Sequence, residues 1–238
     1  MTERSKGAPY AFLQPLEREG RGQTTERVER MLRAAIVALD FAPGEFIDKS
    51  LVCGRLGVSR FPVSEALGRL AAEGLVEVLP QRGTRAARIR LAEVREAMMI
   101  RRALEAMVAE TAAGRLPRDA REALETNLAE QALAVVEDSR MRFHALDLAF
   151  HEILVTGLDL PRVGAVIEAS RANIDRVRRL LSSPRRQAVT LAEHEVLFRA
   201  IAAGDSAAAR RAMEDHLDAV AQELDSLAQR QPDVFVNG

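Results

Sequence analysis

Histidine and aspartate residues in the second half of the chain have the clearest potential for chemistry. All four histidines lie beyond residue 143, and Asp147 precedes His151 by four residues, which puts both side chains on one helix face. His194 and His216 each accompany an apolar face of another predicted helix. One carboxylate and three imidazoles directed into a helical bundle are ligands that suit Zn²⁺ or Ni²⁺. Spacing alone leaves a structural role in the core open for each histidine.

The same residues raise the possibility of a metalloenzyme, because a metal with an open coordination position activates water. The sequence has no HExxH motif, since Val155 occupies the position four residues after His151. Glu152, Glu193 and Glu195 adjoin the candidate ligands, but neighbouring helix residues point away from a shared face, so none is placed as a general base. We therefore expect no enzymatic activity and keep a metal-dependent hydrolase as an alternative.

Composition restricts the class of protein further. The 238 residues include one cysteine, no tryptophan and 4% aromatic residues. A single cysteine excludes an internal disulfide and a zinc finger built on cysteine pairs. No apolar run approaches the roughly 20 residues that span a bilayer, and the first residues lack the apolar core of a secretory signal. The expected location is the cytoplasm, without membrane attachment.

The formal net charge of −1 conceals a difference between two parts of the chain. Residues 1–90 carry 15 basic and 11 acidic side chains, whereas residues 91–238 carry 19 and 24. All basic residues except Lys6 and Lys49 are arginines, which suit bidentate contacts with phosphates, carboxylates and guanine edges. A nucleic-acid-binding surface is therefore expected in the basic N-terminal part.

The basic part has the pattern of a winged helix-turn-helix over residues 23–89. Apolar periodicity and turn residues predict three helices and two short strands, at 24–40, 48–57, 62–74, 75–79 and 84–89. The turn Pro80–Gly83 joins the strands into a small β-hairpin wing. Residues 1–22, rich in glycine, proline and charge, are predicted to form a flexible N-terminal arm.

Beyond the wing, the strand pattern ceases and the chain is predicted to be all-α. Six amphipathic segments end at turn or capping residues, and they span 91–114, 118–137, 140–158, 161–182, 186–203 and 205–229. Short connections favour an antiparallel helical bundle over residues 90–230, followed by a frayed tail at 231–238. The expected fold class is mainly α.

The most specific signal in the chain is the segment LGVSRFPVSEALGRLAAEGLVEVLPQRGT, residues 56–84. With Pro43–Gly44 upstream, it resembles the winged helices of the GntR family of bacterial transcription regulators over residues 25–89. The resemblance implies double-stranded DNA as the partner, with the third helix in the major groove and the wing at the backbone or minor groove. The implied contacts come from Ser59, Arg60, Ser64, Arg69, Arg82 and Gly83.

Ser64 is where this chain departs from the family, whose members usually carry an arginine there in a run like PVREAL. The operator is therefore expected to differ from the commonest family sites, or to be bound more weakly. For Arg69 a solvated surface charge is an equally good interpretation.

The second part resembles the FCD ligand-binding domain of the FadR-like branch of that family. The similarity rests on the runs Asp147-x-x-Phe150-His151, Glu193-His194 and Asp215-His216-Leu217. It implies that Asp147, His151, His194 and His216 hold a divalent metal. Arg101, in the run RRALE, is then expected to pair with an effector carboxylate, although an ion pair with Glu105 competes for it. Ser170 and Asn173 are further candidate effector contacts, and His144 stands outside the family pattern.

These features together predict a homodimeric, ligand-responsive repressor that binds a palindromic operator. Four protein ligands leave positions on an octahedral metal that a small organic or sugar acid can fill. Doubling the winged helix over a palindrome supplies the contacts that specific binding needs. A regulator that senses the metal itself fits the residues almost as well.

Overall fold

The computed structural model describes residues 8–17 and 23–236, which form two compact units. The first unit extends to Arg90 and also takes in the chain from Gln231 onward, and the second unit is Leu91–Arg230. The domain boundary predicted at residues 89–90 lies next to this division. The mainly α fold class is confirmed, with one antiparallel hairpin in the first unit.

The first unit contains the predicted three helices and the wing. Its elements are α1 (Thr24–Val37), α2 (Lys49–Leu56), α3 (Arg60–Ala72), β1 (Val76–Leu79), β2 (Gly83–Ala86), β3 (Ile89–Arg90) and, from the C-terminus, β4 (Phe235–Val236). β1 and β2 pair antiparallel with Leu79 opposite Gly83, which closes the wing. The core between the three helices is fully buried and includes Val28, Leu32, Ile36, Val52, Leu56, Val63 and Leu70.

Local capping determines where α2 begins and ends. The Asp48 carboxylate accepts the backbone N–H groups of Ser50 and Leu51 at 2.7 and 3.1 Å, and so begins α2. Gly57 ends α2 with φ of +67°, a conformation that a side chain would strain. α3 then begins at Arg60, two residues before the predicted start at Pro62. Proline is accommodated in this first turn because its missing N–H has no helical partner there.

Residues 8–17 pack on the first unit, which the prediction of a flexible arm over 1–22 did not anticipate. Tyr10 and Phe12 contact the ring of Phe41 with centroid separations of 4.9 and 5.0 Å. Leu13 is buried, and the Leu16 N–H donates to the Leu56 carbonyl at 3.0 Å. Packing of its aromatic and leucine side chains orders this segment, which is less polar than the rest of residues 1–22. The remainder of the predicted arm, 1–7 and 18–22, lies outside the described residues.

The C-terminal tail also differs from its prediction as a frayed segment. β4 pairs in parallel with β3, with Ile89 opposite Phe235 and Arg90 opposite Val236. Phe235 is buried, so its side chain offsets the entropy of ordering the tail. Periodicity could not reveal a two-residue strand whose partner lies more than 140 positions away.

The second unit contains six helices, as predicted. They are α4 (Leu91–Ala112), α5 (Arg118–Val136), α6 (Arg140–Gly157), α7 (Pro161–Leu181), α8 (Pro184–Ala202) and α9 (Ser206–Arg230). α8 starts two residues earlier than predicted because the Ser183 hydroxyl accepts the Arg186 N–H at 3.1 Å. Gly157 permits a close approach of α6, since a Cβ there would lie 2.8 Å from the Ala120 Cβ on α5. None of the described helices is both long and apolar enough to cross a membrane.

We expect Phe235→Ala to destabilise the first unit by about 3 kcal/mol, because the substitution removes a buried aromatic ring. Tyr10 is the single tyrosine and the chain has no tryptophan, so tyrosine fluorescence during urea unfolding reports on this unit. Val136→Ala, at an 85% exposed position in α5, is the matched control and should leave the curve unchanged. An unaltered midpoint for Phe235→Ala would mean that burial of the Phe235 ring contributes nothing to stability.

Candidate metal centre and DNA-binding surface

Four buried side chains converge in the interior of the second unit. α6 contributes Asp147 and His151, α8 contributes His194, and α9 contributes His216. One potential ligand atom from each lies within 4.8 Å of the others. The four residues are at most 7% exposed, so the bundle surrounds the cluster.

The imidazole nitrogens divide into an inner and an outer set. The inner Nε2 atoms of His151 and His194 lie 3.9 and 3.5 Å from Asp147 Oδ1. These three atoms and His216 Nε2 have no hydrogen-bond partner among the described residues. An unsatisfied buried polar atom costs about 1–3 kcal/mol, so four together indicate a group that would satisfy them. A divalent cation fits, because imidazole nitrogen and carboxylate oxygen are its usual ligands.

The outer Nδ1 atoms each face a side-chain oxygen. The distances from Nδ1 are 3.0 Å for His194 to Gln131 Oε1, 2.8 Å for His216 to Glu193 Oε2, and 2.7 Å for His151 to Glu105 Oε2. An acceptor beside Nδ1 favours the proton on that nitrogen and leaves Nε2 as the free lone pair. His194 and His216 make hydrogen bonds of this kind, which favour the tautomer that a metal needs, whereas the contact of His151 Nδ1 with Glu105 is close but is not aligned as a hydrogen bond.

An arginine holds each carboxylate of this arrangement. Arg101 donates to Glu105 at 2.5 and 3.2 Å, Arg186 donates to Glu193 at 3.0 Å, and Arg178 pairs with Asp147 Oδ2. Because these pairs are buried or partly buried, they are screened weakly and hold the carboxylates in fixed orientations. The carboxylates can then act as fixed acceptors for the histidine rings.

Burial and neighbouring arginines shift the pKa values of these acids in opposite directions. Burial favours protonation of Glu105 and Asp147, but the charges of Arg101 and Arg178 outweigh it and hold both pKa values far below the usual range. Burial prevails at Glu193, whose pKa is raised despite Arg186. Asp147 is therefore a permanent carboxylate ligand candidate at neutral pH.

Burial keeps His194 and His216 neutral. The pKa values of His194 and His216 lie well below 6.5, first because of desolvation and then because of a neighbouring imidazole. Neutral imidazole is the form that binds metal. His144, which lies outside the cluster, is half-buried beside Arg178 and Arg179, and its pKa falls to about 4.

Ring packing restricts the imidazoles further. Phe150 stacks on His194 with centroids 4.1 Å apart and planes inclined by 9°. His151 stacks on His216 with centroids 5.2 Å apart. These contacts leave little freedom for the rings to turn their inner nitrogens away from the centre.

A cavity of about 670 Å³ adjoins the cluster between α4, α6 and α7. Arg101, Glu105 and His151 line it, so the cavity reaches one face of the four-residue cluster. Seven of its fifteen lining residues are apolar or glycine, among them Leu148, Val155, Leu160 and Ile167, and the other eight are polar or charged. A cavity of a few hundred cubic ångströms that combines apolar walls with converging polar groups is typical of small-molecule sites.

Of the three residues predicted to contact an effector, one lines the cavity and two do not. Arg101 lines the cavity and also makes the competing ion pair with Glu105. Ser170 and Asn173 are not among the lining residues. The Ser170 hydroxyl donates to the Ile167 carbonyl at 2.9 Å, and the Asn173 amide donates to Glu93 at 3.3 Å. Their side chains are engaged within the bundle, so the prediction of effector contacts for these two finds no support.

Sequence reasoning missed the side chains behind the candidate ligands. It expected Glu193 to point away from them, whereas this carboxylate reaches the outer nitrogen of His216. Gln131 and Arg178 were also missed, because each lies on another helix and no spacing connects it to its partner. The Arg101–Glu105 ion pair was anticipated from its i, i+4 spacing, but the contact of Glu105 with His151 was not.

The residues predicted to contact DNA lie at two exposed places in the first unit. Ser59 precedes α3, and Arg60 and Ser64 are exposed along its first turns. Arg82 and Gly83 are exposed at the tip of the wing, where Gly83 has φ of +107°. Arg69 is exposed too, but Glu65 and Glu29 engage its guanidinium at 2.8 and 3.4 Å.

Comparisons with known proteins agree with both halves of this description. Residues 24–85 match the bacterial regulatory proteins of the gntR family, and residues 96–219 match the FCD domain. The chain belongs to the GntR family. It is 34% identical over 214 residues to the HTH-type transcriptional repressor RspR of Escherichia coli (strain K12), covering 88% of this chain and 92% of that protein.

Other relatives of this GntR regulator support the same assignment. An uncharacterized HTH-type transcriptional regulator of Streptomyces ambofaciens is 33% identical over 90% of this chain and 91% of its own length. The fold resembles that of E. coli McbR/YncC, with a TM-score of 0.73 at 20% identity, over 87% of this chain and 98% of that one. The protein is thus a bacterial transcription regulator that binds DNA and not an enzyme, which removes the hydrolase alternative.

We expect His144 to make the regulator less stable in acid without taking part in metal binding. Its pKa is about 4 when folded and about 6.5 when unfolded, so the unfolded state binds more protons between these values. Stability that is present above pH 6.5 is lost as the pH falls toward 4. In chelator, His144→Gln should show a shallower decline than the wild type, by up to about 1.4 kcal/mol per pH unit.

Urea unfolding followed by circular dichroism at several pH values measures this difference. Above pH 7 His144 is neutral in both states, so the wild type and His144→Gln should run parallel there. Parallel curves between pH 6.5 and 4 as well would contradict the assignment of a neutral, half-buried His144.

Proposed function

We propose that this GntR regulator is a cytoplasmic, homodimeric repressor whose helical domain senses a small carboxylate through a bound divalent metal. The observation that carries the proposal is the set of four buried, unsatisfied ligand atoms beside a cavity that an arginine also lines. Repression is supported by RspR, a relative that is named as a repressor.

The metal is proposed to be Zn²⁺ or Ni²⁺, held by Asp147, His151, His194 and His216. Three nitrogens and one oxygen are a borderline donor set that these ions accept. When bound, such an ion supplies positive charge and open coordination positions for an oxygen ligand. The protein's own residues keep His194 and His216 neutral, orient these two rings through their outer acceptors, and exclude bulk water.

The effector is proposed to be a small organic or sugar acid in the 670 Å³ cavity. Glu105 engages Nε and Nη2 of Arg101, and we assign the remaining Nη1 to the acid. Arginine suits this task because its planar guanidinium can hold one carboxylate while donating to another. The apolar lining then limits the size and shape of the rest of the molecule.

The operator contacts are proposed to come from Ser59, Arg60, Ser64, Arg82 and Gly83. All five are exposed, on α3 or the wing tip, whereas two carboxylates already hold Arg69. Arg60 Nη2 lies 3.3 Å from Ser50 Oγ, a weak contact that DNA can displace. Ser64 makes a hydroxyl contact where the family commonly has an arginine.

A homodimer on a palindromic operator is proposed because one winged helix presents few base contacts. An exposed apolar stripe on α4 supports self-association, with Met99 71% and Met107 54% exposed, and Ile100 between them in sequence. Burying this stripe against a second copy would remove apolar surface that a monomer leaves in water.

We expect the ligand residues and their outer partners to differ in effect on metal affinity. His194→Ala should abolish stoichiometric Zn²⁺ or Ni²⁺ binding, whereas Gln131→Ala should weaken it by about 10–100-fold, because it removes only the acceptor at His194 Nδ1. Isothermal titration of the metal-free protein measures both. His144→Ala is the control and should bind like the wild type. Equal affinity in all variants would refute the metal site.

We expect operator binding to depend on Arg60 and to respond to an acid only when metal is present. Binding is measured by fluorescence anisotropy with DNA from upstream of the regulator's own gene. Footprinting defines the bound segment, which is then tested as a whole palindrome and as a half site. Arg60→Ala should weaken binding at least tenfold, and a half site should bind more weakly than the whole.

A panel of organic and sugar acids is then added with Zn²⁺ and with chelator. An acid at a hundredfold excess over its dissociation constant should stabilise the folded protein by about 2.7 kcal/mol, visible as a thermal shift. Release from DNA on chelation alone, with no response to any acid, would favour metal sensing instead. Absence of both responses would exclude the helical domain as the sensor.

A further inference from the structure

Phe61 projects from the first turn of α3 with 75% of its surface exposed. Single exposed apolar residues are common on protein surfaces. This one, however, follows Arg60 directly in the element proposed to enter the major groove. Its neighbours Pro62 and Val63 are buried, so the backbone of this turn is anchored while the phenyl ring points away from the core.

The line along α3 that continues from Phe61 otherwise carries only small side chains. Ser64 and Gly68 continue the face of Phe61 at the third and seventh positions, and both are exposed. A Cβ added to Gly68 would meet nothing within 4 Å, so this end of the face is open. Helix residues at i+3 and i+7 stack along one line, which leaves the phenyl ring as the one large apolar projection along this line.

The major-groove edge of thymine carries an apolar group that a phenyl ring can contact. The thymine C5-methyl is the apolar feature that distinguishes A·T pairs in the major groove, and a phenyl ring can pack against it. Ser64 and Gly68 provide one hydroxyl between them, so hydrogen bonding along this line is limited. Reading of methyl groups is therefore the form of specificity that these three side chains can provide.

We propose that Phe61 is a specificity-determining residue that recognises thymine methyl groups in the operator. The proposal rests on the proposed entry of α3 into the major groove. Arg60 supplies the charged anchor and Phe61 supplies the apolar discrimination. Replacement of a family arginine by Ser64 makes space along the helix for this mode of recognition.

The test removes single methyl groups from the DNA. Each thymine of the footprinted operator is replaced in turn by deoxyuridine, and binding of the full-length protein is measured by anisotropy at one fixed salt concentration. Loss of one buried methyl corresponds to about fourfold in affinity. The wild type should lose about fourfold at one or two positions in each half site.

The matched variant shows whether Phe61 is responsible. Phe61→Ala should bind the thymine operator more weakly and lose its sensitivity to deoxyuridine at those same positions. Val136→Ala, at an exposed position of the second unit, should behave like the wild type throughout. Undiminished affinity of the wild type for every deoxyuridine operator, or unchanged sensitivity in Phe61→Ala, would overturn the proposal.

Two further readouts distinguish a DNA contact of Phe61 from a role in folding and from a failure of α3 to bind DNA. If Phe61 instead covers another part of this chain, Phe61→Ala will lower the unfolding midpoint seen by Tyr10 fluorescence and keep the deoxyuridine sensitivity, which overturns the proposal. If α3 does not enter the groove at all, Arg60→Ala will also bind normally, and the DNA contact itself fails. Weaker binding by Arg60→Ala with normal recognition by Phe61→Ala refutes only the role of Phe61.

Discussion

The helical domain encloses three imidazoles and one carboxylate whose inner atoms have no hydrogen-bond partner in the described part of the chain. The need to satisfy these atoms constrains the rest of the domain. Such a cluster is unfavourable in a plain apolar core, since each unpaired atom loses its hydration without replacement. The bundle therefore has to supply acceptors on the outer side and a partner on the inner side. Gln131, Glu105 and Glu193 meet the first requirement, and the proposed cation meets the second.

The arginines around this cluster have a structural role that lysine would fill less well. Arg101, Arg178 and Arg186 each pair with a carboxylate that either contacts a histidine or is itself a candidate ligand. A guanidinium stays charged when buried and has several donors in fixed directions, whereas a buried lysine loses its proton more readily. The same chemistry that suits DNA phosphates thus serves inside the bundle to hold acids in place.

The first unit shows how chain ends can complete a small domain. Residues 8–17 cover Phe41, and β4 pairs with β3 immediately before α4 begins. Small domains bury a limited fraction of their surface, so additional segments contribute noticeably to their stability. β4 follows α9, the helix that carries His216. The segment that completes the first unit is therefore continuous in sequence with the last helix of the second unit.

The sequence by itself determined the winged-helix and bundle elements and their order, but not the short strands β3 and β4. Helix periodicity, the cap at Asp48 and the glycine at residue 57 act locally, so these elements were predictable, most of their ends to within about two residues, and the family resemblance added the set of candidate ligands. The tertiary structure alone decided what depends on distant pairs. It placed Gln131 and Arg178 behind the cluster, and it ordered the segments of Leu13 and Phe235. Those outcomes follow from burial and charge between separate elements, which no spacing along the chain encodes.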